Sequence, residues 1–202
     1  MTLRYAGFWR RFGAHWLDFL VLLPLVGINR WGVAHWRTWW VYSLLPQIAF
    51  SAFYGIYLVR RFGATPGKLM AGLQIRTVAG RPIGYRGAIL RSAPELLLSI
   101  PFYAGLAIAS LGLTDAEYFA RESYHDRMNL LRDLSASWVH YFTLVGSAWV
   151  WSEFIVMMTN EKRRALHDFI AGTVVVVRSE RWFSTRLFQR GAYTGGPSEL
   201  PL

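Results

Sequence analysis

A carboxylate lies inside the first long apolar run of this sequence. The run covers residues 8–28, with Arg11 near its start and Asp18 about two helical turns further along. An ionised carboxylate at that depth in a membrane is unfavourable by roughly 2.5–3.5 kcal/mol on insertion scales, so it must face protein, an opposite charge or trapped water. The chain must therefore fold so that other residues reach Asp18.

The spacing of Arg11 and Asp18 indicates that a third group is needed. Seven residues make almost two turns of an α-helix, which puts both side chains on one stripe but about 10.5 Å apart along the axis. That separation is too long for a simple ion pair. We therefore expect a group from elsewhere in the chain to complete the arrangement.

The composition indicates a protein that crosses a membrane several times. Of the 202 residues, 53% are hydrophobic, and there are 10 tryptophans, 10 tyrosines and 13 phenylalanines. A helix of about 20 apolar residues spans a bilayer. Four runs are long enough, and they lie near residues 9–28, 38–59, 92–113 and 138–158.

The positive charges predict the topology. The net charge is +10, and most of the 22 lysines and arginines lie before the first run, between the second and third, and after the fourth. Because such residues concentrate in cytoplasmic segments, we expect both termini in the cytoplasm. Anionic lipid headgroups are the partner that these charges favour, and we expect no nucleic acid to bind.

The segments between the spans predict the remaining elements. The alternation in LQIRT and the β-branched run GTVVVV each indicate a short cytoplasmic strand, and the two strands can pair. The outer segment 114–137 begins with a capping box of Thr114 and Glu117, which indicates an amphipathic helix. The expected fold is an all-α membrane protein with four transmembrane helices, a short cytoplasmic β-element and an outer-face helix. Residues 179–202 are expected to be a basic, then flexible, cytoplasmic tail.

Two further acids fall within the predicted spans. Glu95 lies one turn beyond Arg91, and the simplest interpretation is a local ion pair. Glu153 lies in the inner half of the fourth span and, like Asp18, needs a partner. Intramembrane carboxylates mark ion pathways, so Asp18, Glu95 and Glu153 are a possible ion path.

The segment after the fourth span supplies the missing partner. RALHDFIAG would place His167 and Asp168 at the membrane depth of Arg11. We expect Asp168 to reach Arg11. Arg164 or His167 would then be shared with Asp18, so that opposite charge from the two ends of the chain converges on it.

The turn GATPGK is not a phosphate-binding loop. Phe62 and Leu69 stand where such a loop requires a glycine and a hydroxyl residue. The simpler interpretation is a turn in which Gly67 takes a positive φ and Lys68 extends to lipid headgroups.

No pattern indicates an enzyme. The sequence lacks a nucleophile elbow, a His-Glu-x-x-His motif and a nucleotide-binding loop. Glu122 and His125 have the Glu-x-x-His spacing of di-iron bundles, but one copy in a loop favours a solvated helical face. The absence of cysteine excludes disulfides and thiolate metal sites. We expect a non-enzymatic protein with no cofactor and no bound metal.

Three motifs resemble those of the RDD family of bacterial membrane proteins, which is named for one arginine and two aspartates. YAGFWRRFGAHWLD is similar to the opening motif and RRALHDFIAGTVVV to the closing one. GATPGK, GLQIRTVAGRPI and the LR that ends at Arg91 are together similar to the middle motif. The resemblance implies that Arg11, Asp18 and Asp168 are the defining residues of an RDD-like domain over residues 1–178. The residues in support of this charge network would be Lys68, Arg164 and His167.

The resemblance also implies a location and a role, and two functions stay open. It implies a multi-pass protein of the bacterial inner membrane with a transport role, and some members are associated with sodium–proton antiport. Four spans without an inverted repeat would make a small transporter that needs to oligomerise. The aromatic-rich spans and the basic tail RSERWFSTRLFQRGAY instead favour an accessory or assembly subunit of a larger membrane complex.

Overall fold

The computed structural model describes residues 4–178, and the predicted basic tail at residues 179–202 lies outside the described residues. The elements in chain order are α1 (Phe8–His35), α2 (Trp39–Ala52), a π-helical turn (Phe53–Tyr57), α3 (Leu58–Phe62), α4 (Pro66–Met70), β1 (Leu73–Thr77), α5 (Tyr85–Leu111), α6 (Asp115–Phe119), α7 (Tyr124–Asp133), α8 (Ser137–Thr159), α9 (Leu166–Ile170) and β2 (Thr173–Val177).

Within the described part of the chain, four helical segments are long and apolar enough to cross a membrane. They are Phe8–His35, Trp39–Met70, Tyr85–Leu111 and Ser137–Thr159. Their number agrees with the prediction, but α1 extends past residue 28 to His35 and α5 begins at Tyr85 rather than near residue 92. Gly27 and Pro94 lie close to these two predicted boundaries, but both are accommodated inside helices, so neither residue ends its helix.

The strands β1 and β2 form an antiparallel pair, as predicted. Leu73 lies opposite Val177 and Thr77 opposite Thr173. The N-terminal segment runs along the other edge of β2, where the Ala6 N–H donates to the Val175 carbonyl at 3.0 Å. The two described ends of the chain therefore lie together at one end of the helical bundle. That this end faces the cytoplasm stays a prediction.

The predicted outer helix is two short helices, α6 and α7. The capping box is confirmed, since the Thr114 N–H donates to Glu117 Oε2 at 2.8 Å and Glu117 N–H to Thr114 Oγ1 at 3.3 Å. Ser123 accepts from the Asp126 N–H at 3.0 Å and so begins a second helix. The fully buried Tyr118 donates its hydroxyl to the Val33 carbonyl at 2.9 Å, which fastens this layer to the end of α1.

Buried apolar side chains form two clusters, one at each end of the bundle. The first cluster, beside the sheet, includes Ala14, Val59, Leu73, Ile75, Ile83 and Val175. The second, beside α6 and α7, includes Val33, Trp40, Leu106, Tyr118 and Leu131. A cavity of about 350 Å³ extends into the bundle from the first cluster, and its walls come from α1, the π-helical turn, α4, α5 and α9.

Candidate functional site

Asp168 is completely buried in α9 and accepts four hydrogen bonds. Its Oδ2 accepts from Arg11 Nη1 at 3.1 Å and from the Ala165 N–H at 3.2 Å. Its Oδ1 accepts from Arg91 Nη1 and, at 2.9 Å, from Thr173 Oγ1. The predicted pairing of Arg11 with Asp168 is therefore present, with Arg91 as a second cation that the sequence interpretation assigned elsewhere.

The environment of Asp168 keeps its carboxyl group ionised. Burial by itself would raise the pKa of Asp168, but the charges of Arg91, His167 and Arg11 outweigh it and hold that pKa well below its usual range. Because Arg11 belongs to α1, Arg91 to α5 and Thr173 to β2, one carboxylate joins three elements that are distant in sequence.

Arg164 supports the same segment through backbone contacts. It donates to the Asp168 carbonyl at 2.8 Å and to the Thr173 carbonyl at 3.0 Å, and its guanidinium lies 4.1 Å from the centre of the Phe169 ring. These bonds join the two ends of the α9–β2 connection. The prediction that Arg164 or His167 is shared with Asp18 is wrong, since Arg164 bonds here and His167 contacts Glu153.

Asp18 has its own set of partners, all from one short stretch of the chain. Its Oδ1 accepts from the Tyr54 hydroxyl at 2.5 Å and from the Gly67 N–H at 2.7 Å, and its Oδ2 accepts from Thr65 Oγ1 at 2.7 Å. Lys68 Nζ lies 4.0 Å from Oδ2. The expected convergence of charge from the two chain ends on Asp18 is wrong.

Asp18 and Arg11 have different partners because they lie at different positions along the axis of α1. Arg11 and Asp18 share a stripe but stand about 10.5 Å apart along the helix axis, so they meet different layers of the protein. Arg11 meets α9 and β2, whereas Asp18 meets α4 and the π-helical turn. The prediction that Arg11 and Asp18 lie on the same face of α1 is confirmed. Their different positions along the helix axis determine which residues each one contacts.

The local structure of GATPGK also differs from the prediction. Pro66 is the first residue of α4, with Thr65 extended before it, and Gly67 is helical rather than at positive φ. Lys68 is 9% exposed and faces Asp18 instead of lipid headgroups. Gly67 is needed for space, because a Cβ atom there would lie 2.3 Å from the Asp18 backbone nitrogen.

A third cluster contains Glu95, Glu153 and His167. His167 Nδ1 contacts Glu153 Oε1, which gives Glu153 the partner that the sequence required. One potential ligand atom from each of the three side chains lies within 4.8 Å of the other two. The predicted pair of Arg91 with Glu95 is wrong, since Arg91 turns to Asp168. Glu95 lines the cavity and accepts no hydrogen bond from any residue between 4 and 178.

Sequence reasoning missed several of the groups that complete these clusters. No local sequence pattern marks the hydroxyl donors Tyr54, Thr65 and Thr173. Arg91 stands at the end of the middle motif, and that position was the one available signal for its role. Most of these groups contact a residue far away in sequence, and helix or strand periodicity cannot predict such a contact.

The fold and these buried charges define a membrane protein with four apolar helices and an ionic centre at one end of its bundle. The RDD family profile matches residues 5–172, most of the chain, and the protein belongs to the RDD family. The resemblance to this family that the sequence indicated is thereby confirmed. A comparison with curated proteins finds no match.

Replacing Gly67 with alanine should separate α1 from α4. The added Cβ would lie 2.3 Å from the Asp18 nitrogen and 2.5 Å from the Ala14 carbonyl oxygen, and both are backbone atoms that cannot move alone. We expect a loss of about 1–3 kcal/mol in the free energy of unfolding, measured by denaturant titration in mixed micelles. Gly13→Ala is the control, because a Cβ there meets nothing within 4 Å. Equal stability of the two variants would contradict this packing.

Asp168→Asn should be strongly destabilising. It leaves two buried arginines, Arg11 and Arg91, without a counter-charge, and breaking a buried ion pair in this way lowers stability by about 3–5 kcal/mol. The control is Asp115→Asn, which removes the partner of Arg37 in an exposed pair, where about 0–1 kcal/mol is expected. Both would be measured by the same titration. A loss for Asp168→Asn no larger than that of the control would show that the network contributes little.

Proposed function

We propose that this RDD-family protein is a non-enzymatic transporter of a small cation, placed in the bacterial inner membrane with both termini in the cytoplasm. The observation that carries the proposal is the position of Glu95. It lies inside an apolar helix, is exposed to the cavity and accepts no hydrogen bond from residues 4–178. A carboxylate at membrane depth is unfavourable unless a cation, a proton or water neutralises or solvates it.

The walls of the cavity suit an ion that has lost part of its water. Oxygen and nitrogen atoms that can contact such an ion come from Tyr54, Ser92, Ser99, Tyr103 and His15. The wall also carries Lys68 and Arg91, which face Asp18 and Asp168 respectively. The volume of about 350 Å³ leaves room for several waters beside these groups. Apolar side chains such as Leu22 and Leu96 form other parts of the wall.

The contacts favour Glu95 over Asp18 as the carboxylate that meets the cation. Both carboxylate oxygens of Asp18 already accept short hydrogen bonds from Tyr54, Thr65 and the Gly67 backbone. A cation at Asp18 would have to replace several of these bonds. Glu95 would lose none, so we assign Asp18 a structural role beside the path.

The direct test is cation uptake into proteoliposomes under an imposed pH gradient, with radioactive sodium and radioactive manganese as alternative probes. Glu95→Gln preserves the shape of the side chain and removes its charge. We expect it to lower uptake of the transported cation at least tenfold, while Glu95→Asp retains part of it. If proteoliposomes with the wild-type protein take up neither cation faster than liposomes without protein, transport of both cations is contradicted.

Glu161→Gln is the matched control for this experiment. Glu161 is exposed and lies beyond the end of α8, outside the cavity lining. Its replacement changes the net charge of the chain by the same amount as Glu95→Gln. An equal loss of uptake in both variants would attribute the effect to net charge rather than to the cavity.

A subunit role is the second candidate, and the exposed aromatic side chains favour it. Trp9 is 78% exposed and Trp151 is 68% exposed, on α1 and α8 respectively. A shallow apolar groove between these helices is lined by Phe12, Trp16 and Phe154. Tryptophan is enriched at protein interfaces. Purification in a gentle detergent separates the candidates, because a monodisperse particle that contains this chain alone counts against a subunit role.

We also propose that anionic lipid headgroups bind the end of the bundle that carries the sheet. Arg60, Arg61, Arg81 and Arg86 are exposed there. Each basic side chain near an anionic membrane surface contributes about 1 kcal/mol of attraction. These arginines also support the cytoplasmic placement of this end, through the same rule that predicted the topology.

A further inference from the structure

Three side chains with metal-binding atoms meet at the edge of the cavity. Glu95 comes from α5, Glu153 from α8 and His167 from α9. One ligand atom from each lies within 4.8 Å of the other two. No local motif produces this arrangement, because the tertiary fold brings the three segments together.

The donor set matches one class of cation. An imidazole nitrogen with two carboxylate oxygens is a set that suits first-row divalent transition metals such as manganese, iron, cobalt and zinc. Sodium and calcium prefer sites built from oxygen alone. Two carboxylates also give a formal charge of −2, which a divalent cation neutralises and a monovalent one does not.

The ring of His167 lies between two carboxylates. Its Nδ1 faces Glu153, and its other ring nitrogen, Nε2, lies 4.0 Å from Asp168 Oδ2. That separation is too long for a hydrogen bond, so Asp168 acts on the ring through its charge. Metal-binding histidines commonly have a carboxylate near their second nitrogen. Asp168 is itself held by Arg11 and Arg91, so the ring faces a fixed charge.

The cluster is also accessible and incompletely satisfied. His167 is 8% exposed and Glu153 is partly buried, yet Glu95 faces the cavity and accepts no hydrogen bond from the described residues. Lys68 lines the same cavity and its charge interacts with that of Glu95, but it makes no hydrogen bond to it. A metal ion would use all three groups, and water in the cavity could complete its coordination.

We propose that Glu95, Glu153 and His167 bind a divalent first-row transition-metal ion, and that this ion is the cation that the protein moves. The second half of the statement rests on the transport function proposed above. The first half does not, since binding can be measured without transport.

The test is a cobalt titration of the purified full chain in detergent. The protein carries an affinity tag without histidines and is freed of metal with a chelator before use. Cobalt serves as the probe because its visible absorption changes when imidazole and carboxylate replace water. We expect one Co²⁺ per chain, confirmed by elemental analysis, and competition by Zn²⁺ and Mn²⁺ but not by Na⁺.

Variants locate the site. Glu95→Gln, Glu153→Gln and His167→Gln should each weaken Co²⁺ binding at least tenfold, and the first is the safest because Glu95 makes no hydrogen bond that folding would lose. The controls are His140→Gln and Glu161→Gln, which remove the same donor types at exposed positions away from the cluster. Gel-filtration profiles and thermal unfolding verify that each variant is folded.

The possible results separate the two proposals. Wild-type protein that binds no Co²⁺, or that binds it equally well as Glu95→Gln, overturns the metal site, while sodium transport could still stand. Site-specific binding without manganese uptake into proteoliposomes would uphold the metal site and overturn its role in transport. Binding lost in the three variants and kept in the two controls supports the assignment.

Discussion

A single buried carboxylate, Asp168, determines how the two ends of this chain meet. Two arginines approach it from α1 and α5, and a threonine hydroxyl approaches it from β2. The charges of Asp168, Arg11 and Arg91 would each be unfavourable if buried alone, because removing an ion from water costs free energy unless the ion is paired and hydrogen-bonded. The pairing therefore requires α9 to dock against α1 and α5, and β1 and β2 to pair beside them.

The position of α9 has a consequence for the cavity. His167 immediately precedes Asp168, so the contact that anchors Asp168 also places the imidazole against Glu153 on α8. Within the described residues, the polar end of the cavity is thus built on the same ionic centre that fastens the fold.

Asp18 has a similar arrangement further along α1: its hydrogen bonds come from neutral donors, and the cation Lys68 lies 4.0 Å away. The π-helical turn at Phe53–Tyr57 carries Tyr54, and α4 offers the Gly67 N–H. π-helical turns are frequent at functional sites. Gly67 allows the backbones of α1 and α4 to approach closely. Asp18 and Asp168 therefore act alike, since each carboxyl group accepts hydrogen bonds from segments that are distant in sequence.

The sequence was sufficient for the features that depend on local pattern. Apolar runs predicted the four long helices, β-branched runs predicted the antiparallel strands, and the motif around Asp168 predicted its pairing with Arg11. Helical periodicity gives the face of a side chain but not which layer of the protein lies opposite it. For that reason Asp18 was assigned the wrong partners, and Arg91 was paired with its neighbour Glu95. The convergence of Glu95, Glu153 and His167 depends on the packing of α5, α8 and α9, which no single segment encodes.

The central claim is that Arg11 and Asp168 stabilise each other, and a double-mutant cycle measures this directly. The cycle compares the free energies of unfolding of Arg11→Met, Asp168→Asn and the double variant with that of the wild type in the same micelles. Residues in direct contact within one buried network should show a coupling free energy of about 2 kcal/mol or more. Additive effects, with a coupling below about 0.5 kcal/mol, would contradict the account.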